Sequence, residues 1–383
     1  MLCDHFCQAK GMYLQHLSLR YFRNYVEQQV KFQAPKIILV GENAQGKSNL
    51  LEAVEWLACL SSHRTGRDRD LIQTEQPQAL IQAEMVRASG PLELGAVLRQ
   101  SGRRSLLVNG ELVPRSLDFL GHLNAVQFSS LDLDLVRGGP TERRAWLDRV
   151  LTQLEPIYAH LWQTYQHILR QRNALLKQVL NQTTDASQLP LWNQQLATAG
   201  VRLMRRRHRL IERLGPLSQA WQEKISDHRE HLQLNYGANV TAPTQAPEDL
   251  WQAFMEKIQA RTLAEQIQGT TLVGPHRDDV ELLINGTPAR QYGSQGQQRT
   301  LVLALKLAEL ELIEVVIGES PLLLLDDVLA ELDLQRQNQL LGTIENRFQT
   351  IITTTHLGAF DPAWLSAAQV MTVKAGRVNP TLP

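Results

Sequence analysis

The sequence predicts an α/β protein with a head of mixed β-sheets and helices, formed by both ends of the chain and split by a helical antiparallel arm. Strand-like patterns and tight turns dominate residues 12–140 and 271–383. In much of 141–270, by contrast, the residues have long, polar side chains that favour a helix. A buried-strand pattern also stops abruptly at Gly41. We therefore expect a leader at residues 1–11, the N-terminal part of the head at 12–140, an arm or second lobe at 141–270, and the C-terminal part of the head at 271–383.

Composition narrows the class of protein. Lysine plus arginine and aspartate plus glutamate each number 39 in 383 residues, so any basic surface must be local. Three cysteines do not form a disulfide framework, which suits a reducing cytoplasm. No apolar run approaches the roughly 20 residues of a membrane span. We therefore expect a cytoplasmic protein with no membrane partner.

Strands and hairpins in the flanking regions follow from periodicity and turn residues. The segment "YLQHLSLR", which begins at Tyr13, alternates apolar and polar residues, as a half-buried strand does. Asn109-Gly110 and Asn285-Gly286 lie between apolar flanks. These pairs predict two hairpins, because Asn and Gly tolerate the positive φ angles of a type I′ turn.

The arm is predicted from helical spacing. Apolar residues recur at intervals of three and four along its first half, namely Leu151, Leu154, Ile157, Tyr158, Leu161 and Tyr165. A loop near residues 181–190 should join this helix to a second one, and two long helices joined in this way pack antiparallel. Pro243 and Pro247 predict another exposed loop.

The Gly-rich turn fits the pattern G-x-x-x-x-G-K-[ST] at every fixed position, between a strand and a helix expected at residues 49–60. Its glycines let backbone N–H groups surround a phosphate, and the helix adds its positive N-terminal end. The lysine would reach the β- and γ-phosphates of a nucleotide, and the serine would ligate Mg²⁺. The predicted nucleotide-binding residues are Gly41, Glu42, Asn43, Ala44, Gln45, Gly46, Lys47, Ser48 and Asn49.

Two acids end a second buried strand. In "SPLLLLDDVLAELD", four leucines precede Asp326 and Asp327, which predicts a strand buried on both faces with carboxylates at its C-terminal tip. Such carboxylates are costly unless a cation or hydrogen bonds compensate. Asp326 is placed to hold Mg²⁺ through water, and Asp327 to orient or deprotonate the attacking water.

The stretch "QYGSQGQQRTLVLALKLAELELI" predicts a second phosphate-binding surface. Gly293 and Gly296 let backbone amides approach a ligand, Ser294 supplies a hydroxyl group, and a helix begins near Gln297. A chain with one phosphate loop does not obviously need this surface. In a dimer, however, the loop of one subunit could close on the nucleotide held by the other. A simple glycine-flanked helix start is the alternative.

Together these motifs resemble the ABC-type ATPase heads of the SMC/Rad50 group, whose head is split by a helical insertion. The short arm and the blocks "MYLQHLSLRYFRNY", "GGPTERRAWLD", "LVGPHRDD" and "YGSQGQQRT" are similar to the RecF family of bacterial recombination and gap-repair ATPases. The similar blocks run from Met12 to past His356, which is nearly the whole chain.

The resemblance implies a role for each matching position. Lys47 and Ser48 bind ATP and Mg²⁺, Asp326 is the metal acid, and Asp327 stands where most ABC ATPases have a catalytic glutamate. Ser294, Gly296 and Gln297 form the signature that acts across the dimer, and Asp333 lies in a loop that meets the opposite subunit. His356 matches the switch that senses the γ-phosphate. Gln127 is the candidate for the loop glutamine that contacts the metal and couples it to the arm. Lys47, Asp326, Asp327, Ser294 and His356 are thus the expected catalytic residues.

Arginines predict local contact with DNA. They lie after the first helix, at the start of the arm and within the arm, at Arg64, Arg67, Arg69, Arg143, Arg144, Arg205, Arg206 and Arg207. Arginine donates two hydrogen bonds to a phosphate at once. Because no base-reading motif occurs, contact should be with the DNA backbone and tolerant of sequence. For the arm arginines, a solvated helix face remains the alternative.

These expectations combine into a weak, DNA-stimulated ATPase that serves as a switch. ATP would clamp two heads round duplex or gapped DNA, and slow hydrolysis would release them. The resemblance implies that RecR and RecO are partners and that RecA loading is promoted. A structural DNA-bridging protein with an incidental ATPase is the alternative, although the short arm spans little distance. A transporter ATPase subunit is disfavoured, because its signature loop would lie much nearer the phosphate loop.

Overall fold

The computed structural model describes residues 11–331, 334–344, 347–360 and 362–380. The described chain divides into two compact units. The first, called the head unit, extends to Asp132 and resumes at Leu303, and the second, called the arm unit, is Leu133–Val302. The sequence-based boundaries at 140/141 and 270/271 remain predictions about domain organisation, and the leader at 1–11 lies, apart from Gly11, outside the described residues.

The described strands are, in chain order, β1 (Tyr13–Phe22), β2 (Tyr25–Lys31), β3 (Lys36–Val40), β4 (Gln78–Arg87), β5 (Gly90–Arg99), β6 (Ser105–Val108), β7 (Glu111–Val113), β8 (Ala125–Ser129), β9 (Leu232–Gly237), β10 (Asp279–Ile284), β11 (Thr287–Pro288), β12 (Leu322–Asp326), β13 (Thr350–Thr354), β14 (Gln369–Lys374) and β15 (Arg377–Pro380). The described α-helices are α1 (Lys47–Cys59), α2 (Asp134–Arg137), α3 (Pro140–Leu154), α4 (Ile157–Leu180), α5 (Leu189–Ile225), α6 (Pro247–Gln268), α7 (Ala289–Tyr292), α8 (Gln295–Ile317), α9 (Leu334–Ile344) and α10 (Pro362–Ser366).

Two six-stranded sheets form the head unit within the described residues. One is antiparallel, in the order β2-β1-β4-β5-β6-β7, and the other is mixed, in the order β15-β14-β3-β13-β12-β8. In the mixed sheet β3, β8, β12, β13 and β14 run parallel, and the apolar residues of β3 and β12 are buried. Because parallel strands end at one edge, the residues after β3, β12 and β13 lie close together.

Both predicted hairpins are confirmed. Asn109 and Gly110, with φ angles of 51° and 80°, connect β6 to β7. Asn285 and Gly286, with φ angles of 50° and 76°, connect β10 to β11. Both pairs have the left-handed backbone that Asn and Gly accept most readily.

The arm unit contains the two predicted long helices. Arg172 of α4 donates to Asn193 of α5 at 2.9 Å, and Arg207 of α5 lies 3.1 Å from the hydroxyl oxygen of Tyr158 of α4. The partners run in opposite order along the chain, so the two helices pack antiparallel, as expected. Near Pro156 the predicted first helix is interrupted between α3 and α4, because proline cannot supply an interior N–H group.

One helix of the arm unit was not predicted. The sequence predicts an exposed loop at Pro247, but this residue is the first of α6, where a missing N–H group costs nothing. Glu248 and Asp249 follow in the first turn and favour the positive end of the helix. Buried Leu250, Phe254 and Ile258 attach α6 to the unit. No described helix combines the length and apolar character that a membrane span requires.

Candidate nucleotide site and basic surfaces

The predicted phosphate loop connects β3 to α1. A Cβ atom at Gly41 would lie 2.3 Å from the carbonyl oxygen of Val373, so a side chain does not fit there. Gly46 has a φ angle of 114°, and Ala44 one of 64°. Both lie in the left-handed region, which residues other than glycine adopt at a cost. The loop therefore has the tight, turned-in backbone expected of a phosphate cradle.

The loop presents groups that an anion would satisfy. No oxygen of the described residues accepts a hydrogen bond from the backbone N–H groups of residues 43–46. The Lys47 ammonium group bonds the carbonyl oxygens of Gly41 and Glu42, at 2.7 and 2.9 Å, and the residue is only 3% exposed. A row of N–H groups beside a buried cation matches the charge of a nucleotide phosphate.

A second cluster of contacts joins α1 to the end of β12. The Ser48 hydroxyl group donates to Oδ1 of Asp326 at 2.8 Å, and the Thr353 hydroxyl group at the end of β13 donates to the same oxygen, also at 2.8 Å. On β8, opposite Leu324, Gln127 has a buried Oε1 atom without a hydrogen-bond partner. Hydroxyl, carboxylate and amide oxygens are the ligands that Mg²⁺ prefers, so these residues fit a magnesium ion.

Asp327 has an unusual backbone and a raised pKa. Its φ angle is 54°, and its N–H group donates to the Thr353 hydroxyl oxygen at 2.9 Å. Burial raises the pKa of its carboxyl group, nearby Lys47 partly opposes this shift, and Asp326 adds to it. A carboxyl group with a raised pKa is a better proton acceptor than an ordinary one.

Several residues that support this site were not recognised in the sequence. Asn24, in the turn between β1 and β2, donates to the carbonyl oxygen of Gln45 at 3.0 Å and accepts from Asn49 at 2.9 Å. Arg23 beside it forms two hydrogen bonds, of 2.9 and 2.7 Å, with buried Glu52. Residues 24 and 45 are far apart in sequence, and no local pattern indicates their contact.

The side chain of Gln127 also has a neighbour that was not predicted. Its Nε2 atom lies 3.5 Å from Nε2 of His63, and the other ring nitrogen of His63 lies 2.5 Å from Oε2 of Glu55. An amide nitrogen that faces the imidazole turns the amide oxygen away from it. This arrangement favours the orientation in which Oε1 is available to a cation.

His356 lies beyond β13, at the same edge of the sheet as the phosphate loop. The loop and this segment are joined by a hydrogen bond from Gly41 N to Thr354 O, 3.2 Å long. The side chain of His356 is exposed, and its Nδ1 atom lies 3.0 Å from the Thr355 hydroxyl oxygen. A sensor role for His356 remains a prediction.

The predicted signature loop belongs to the arm unit and has a clear structural role. The Ser294 hydroxyl oxygen accepts from Gln297 N at 3.2 Å, while Ser294 N donates to Oε1 of Gln297 at 2.9 Å. This reciprocal pair is a capping box at the start of α8, which begins at Gln295 rather than near Gln297. The action of Ser294, Gly296 and Gln297 across a dimer remains a prediction, and Asp333 lies outside the described residues.

The predicted set of DNA-binding arginines must be corrected at two positions. Arg207 is fully buried and bonds Asp148 at 2.8 Å and the carbonyl oxygen of Pro275 at 2.7 Å. Arg143 is 5% exposed and forms a two-bonded pair with Asp279, at 2.7 and 2.9 Å. Their guanidinium groups are occupied inside the arm unit, so neither is available to a DNA backbone.

The other predicted arginines are at least partly exposed. Arg67, Arg69 and Arg205 are exposed, whereas Arg144 is half-buried and donates to the carbonyl oxygen of Asp278. Two more have protein partners: Arg64 bonds Asn49 at 2.8 Å, and Arg206 bonds Glu155 at 2.9 Å. DNA contact by these six residues remains a prediction.

The block "LVGPHRDD" contains buried Asp278, whose contacts give the block a structural role in the arm unit. The Asp278 carboxylate accepts from Asn239 N at 2.6 Å and from the Tyr236 hydroxyl group, and Arg207 lies 3.6 Å away. Preceding it, Gly274 has a φ angle of 130°, and a Cβ atom there would lie 2.5 Å from the Tyr165 hydroxyl oxygen. This block therefore joins α5, β9 and α4 within the arm unit.

Comparisons with known proteins agree with this geometry. Residues 13–378 match the family described as RecF/RecN/SMC N terminal domain. A DNA replication and repair protein RecF from Cyanothece sp. (strain PCC 7425) is 66% identical over 366 residues, covering 95% of this chain and 97% of that protein. A protein of the same description from Acaryochloris marina (strain MBIC 11017) is 63% identical over 371 residues, covering 96% and 99%.

Solved structures place the fold. A recombination mediator protein RecF with ATP, described as part of the RecFOR pathway, has a TM-score of 0.90 and 30% identity, covering 99% of this chain and 100% of that one. An Smc head domain from Pyrococcus furiosus has a TM-score of 0.53 at 17% identity, covering 97% and 96%, and shares the fold alone. The fold is that of an SMC/ABC-type ATPase head, and the chain belongs to the RecF family.

Proposed function

We propose that this protein is an ATP-dependent DNA-binding ATPase of recombinational gap repair and replication-fork maintenance. Two ATP-loaded copies close round DNA, and slow hydrolysis releases it. RecO and RecR act with it to promote RecA loading. The ATP-bound relatives and their description as recombination mediators support the nucleotide and the setting.

The observation that carries the ATPase proposal is the contact between Ser48 and Asp326, two residues 278 positions apart in sequence. It joins the phosphate loop to the acidic strand end in the arrangement that nucleotide hydrolysis needs. When bound, Mg²⁺ would neutralise charge that develops on the phosphates, held by Ser48, Asp326 and the free Oε1 atom of Gln127.

The other residues have complementary roles in the proposed reaction. Lys47 and the N–H groups of residues 43–46 bind the phosphates. Asp327, which follows the metal acid at the end of β12, orients the attacking water and accepts its proton. Aspartate is one methylene group shorter than the glutamate of most ABC ATPases, so we expect a slow turnover.

The dimer proposal rests on the signature loop. Ser294 and the N-terminus of α8 offer a hydroxyl group and a positive helix end, which suit the γ-phosphate held by a second copy. ATP binding and dimerisation are then thermodynamically linked, and so are ATP and DNA affinity. DNA contact is made to the phosphate backbone and is steeply dependent on salt.

DNA binding tests the proposal as a whole. Fluorescence anisotropy with duplex, gapped and single-stranded oligonucleotides compares wild type and Lys47→Arg, with and without ATP. We expect ATP to raise wild-type affinity for duplex or gapped DNA, and Lys47→Arg to lose that increase. ATP-independent affinity, equal in both proteins, would refute the switch and favour a structural role.

Two substitutions at Ser294 separate its cap from its proposed contact across the dimer. An aspartate caps a helix as well as a serine does, but its carboxylate would repel a γ-phosphate. Analytical ultracentrifugation with ATP should therefore show dimers for Ser294→Thr and monomers for Ser294→Asp, with similar thermal stability. Dimerisation of Ser294→Asp at the wild-type level would contradict the contact across subunits.

A further inference from the structure

A cleft between α5 and the start of α6 is not part of the nucleotide site. Its volume is about 670 Å³, which is within the usual range for ligand pockets. It lies wholly within the arm unit, because its lining residues fall between Thr198 and Gln252. No step of the proposed ATP reaction uses it.

One wall of the cleft is a stripe of arginines on α5. Arg202, Arg205, Arg206 and Arg209 recur at intervals of three, one and three residues, so they share one side of the helix. Arg206 is paired with Glu155. The guanidinium groups of Arg202, Arg205 and Arg209 have no ion-pair or hydrogen-bond partner within the part of the chain that the structure describes.

The charge of the stripe is poorly compensated within the cleft. Glu248 is the acidic residue among those that line it. From Arg202 to Arg209 the helix rises about 10 Å, at 1.5 Å per residue. The cleft therefore presents a line of positive charge to solvent, long enough for more than one phosphate group.

The facing wall supplies an aromatic surface. Trp251 of α6 lines the cleft, and its indole N–H group donates to the Thr198 hydroxyl oxygen at 3.3 Å. The bond fixes one edge of the indole while the residue remains partly exposed. A fixed indole opposite a row of arginines combines the two features by which proteins bind single-stranded nucleic acid: a positive groove and a stacking platform.

We propose that this cleft binds a short segment of single-stranded nucleic acid. The phosphates contact Arg202, Arg205 and Arg209, and a base stacks on Trp251. An acidic polypeptide could pair with the arginines, but its carboxylate side chains have no aromatic ring that would stack on the indole of Trp251. Since stacking and phosphate contacts do not read base identity, binding is tolerant of sequence. This inference deepens the proposed DNA-binding function and rests on it.

The test uses the full-length protein and a fluorescein-labelled oligo-dT of about 10 nucleotides, a length within the usual range for single-strand sites. Anisotropy titrations at several salt concentrations compare wild type, Trp251→Leu and the double variant Arg205→Ala/Arg209→Ala. The matched control is Arg170→Ala/Arg261→Ala, which removes the same charge from exposed positions of the arm unit outside the cleft. Thermal melts confirm that each variant is folded.

We expect Trp251→Leu to weaken oligo-dT binding roughly 5- to 150-fold, as loss of one stacked base does. In the double variant the slope of log affinity against log salt should become less steep by about 1.4, since each lost single-strand phosphate contact contributes about 0.7 to its magnitude. The control should bind oligo-dT as wild type does. Folded cleft variants with wild-type affinity and slope would overturn the proposal.

Two further measurements are needed: one separates this proposal from the function on which it rests, and the other separates nucleic acid from an acidic polypeptide as the ligand. Wild-type binding to duplex DNA with ATP reports on the proposed function. Wild-type duplex binding together with unaltered oligo-dT binding by the cleft variants overturns only the cleft assignment, whereas no DNA binding by wild type overturns both. If the cleft variants lose binding to polyglutamate but retain wild-type binding to oligo-dT, the cleft is a site for an acidic polypeptide and the proposal is overturned.

Discussion

Replacement of Arg207 by methionine should destabilise the arm unit strongly. The change removes a fully buried guanidinium group that forms hydrogen bonds of 2.8, 3.1 and 3.1 Å with Asp148 and one of 2.7 Å with the carbonyl oxygen of Pro275. Asp148 is left with the Tyr158 hydroxyl group, whereas Asp278 keeps its bonds from Tyr236 and Asn239. Removing one partner of a buried ion pair costs about 3–5 kcal/mol.

The assay is thermal unfolding followed by circular dichroism. For a unit of this size, each kcal/mol lowers Tm by roughly 2–4 °C, so Arg207→Met should lower the arm transition by roughly 10 °C. Arg205→Met, an exposed position two residues earlier on α5, is the matched control and should change Tm by less than about 2 °C. The loss should shrink in Arg207→Met/Asp148→Asn, which also removes the unpaired carboxylate. Equal Tm values for Arg207→Met and Arg205→Met would refute the structural role.

Three more predictions follow from the two units. Thr353→Val removes a hydroxyl group that holds both Asp326 and the backbone of Asp327, so ATP turnover should fall about 10-fold or more while ATP binding, measured by calorimetry, persists. Asp327→Asn should lower the single-turnover hydrolysis rate by about 10²–10⁴, the usual contribution of a general base, and a smaller loss would contradict its assigned role. Burial lowers the pKa of His276 to about 4. Between pH 6.5, the ordinary pKa of histidine, and about pH 4, the unfolded chain therefore binds more protons than the folded one. The free energy of unfolding should be highest above pH 6.5 and should fall by up to about 3 kcal/mol as the pH is lowered through this range. Urea titrations of wild type and His276→Asn across that range measure the loss, and identical pH profiles would contradict it.

The sequence predicts what adjacent residues determine. The phosphate loop, the acidic strand end and both hairpins depend on local steric and hydrogen-bonding preferences, so their patterns were sufficient. Thr353 and Asn24 support the site through contacts that only the folded sheets create, and no spacing rule indicates them. The prolines show a different limit of sequence-based prediction. Pro156 separates α3 from α4, whereas Pro247 begins α6, so proline alone does not indicate whether a helix ends or begins.

The arginines show how helical periodicity could have separated structural from exposed charge. Arg207 stands four residues after Leu203, three before Leu210 and seven before Leu214, and all three leucines are buried. Arg143 also lies at helical spacing from buried residues, three before Trp146, four before Leu147 and seven before Val150. An arginine on such an apolar stripe is enclosed with its helix face, and it then requires an internal acid. Arg202, Arg205 and Arg209 lie off the stripe of α5 and keep their charge for a solvent-side ligand. Substitutions on the two faces of α5 should therefore have different effects: one at Arg207 lowers Tm, whereas those at Arg205 and Arg209 change the salt dependence of oligo-dT binding.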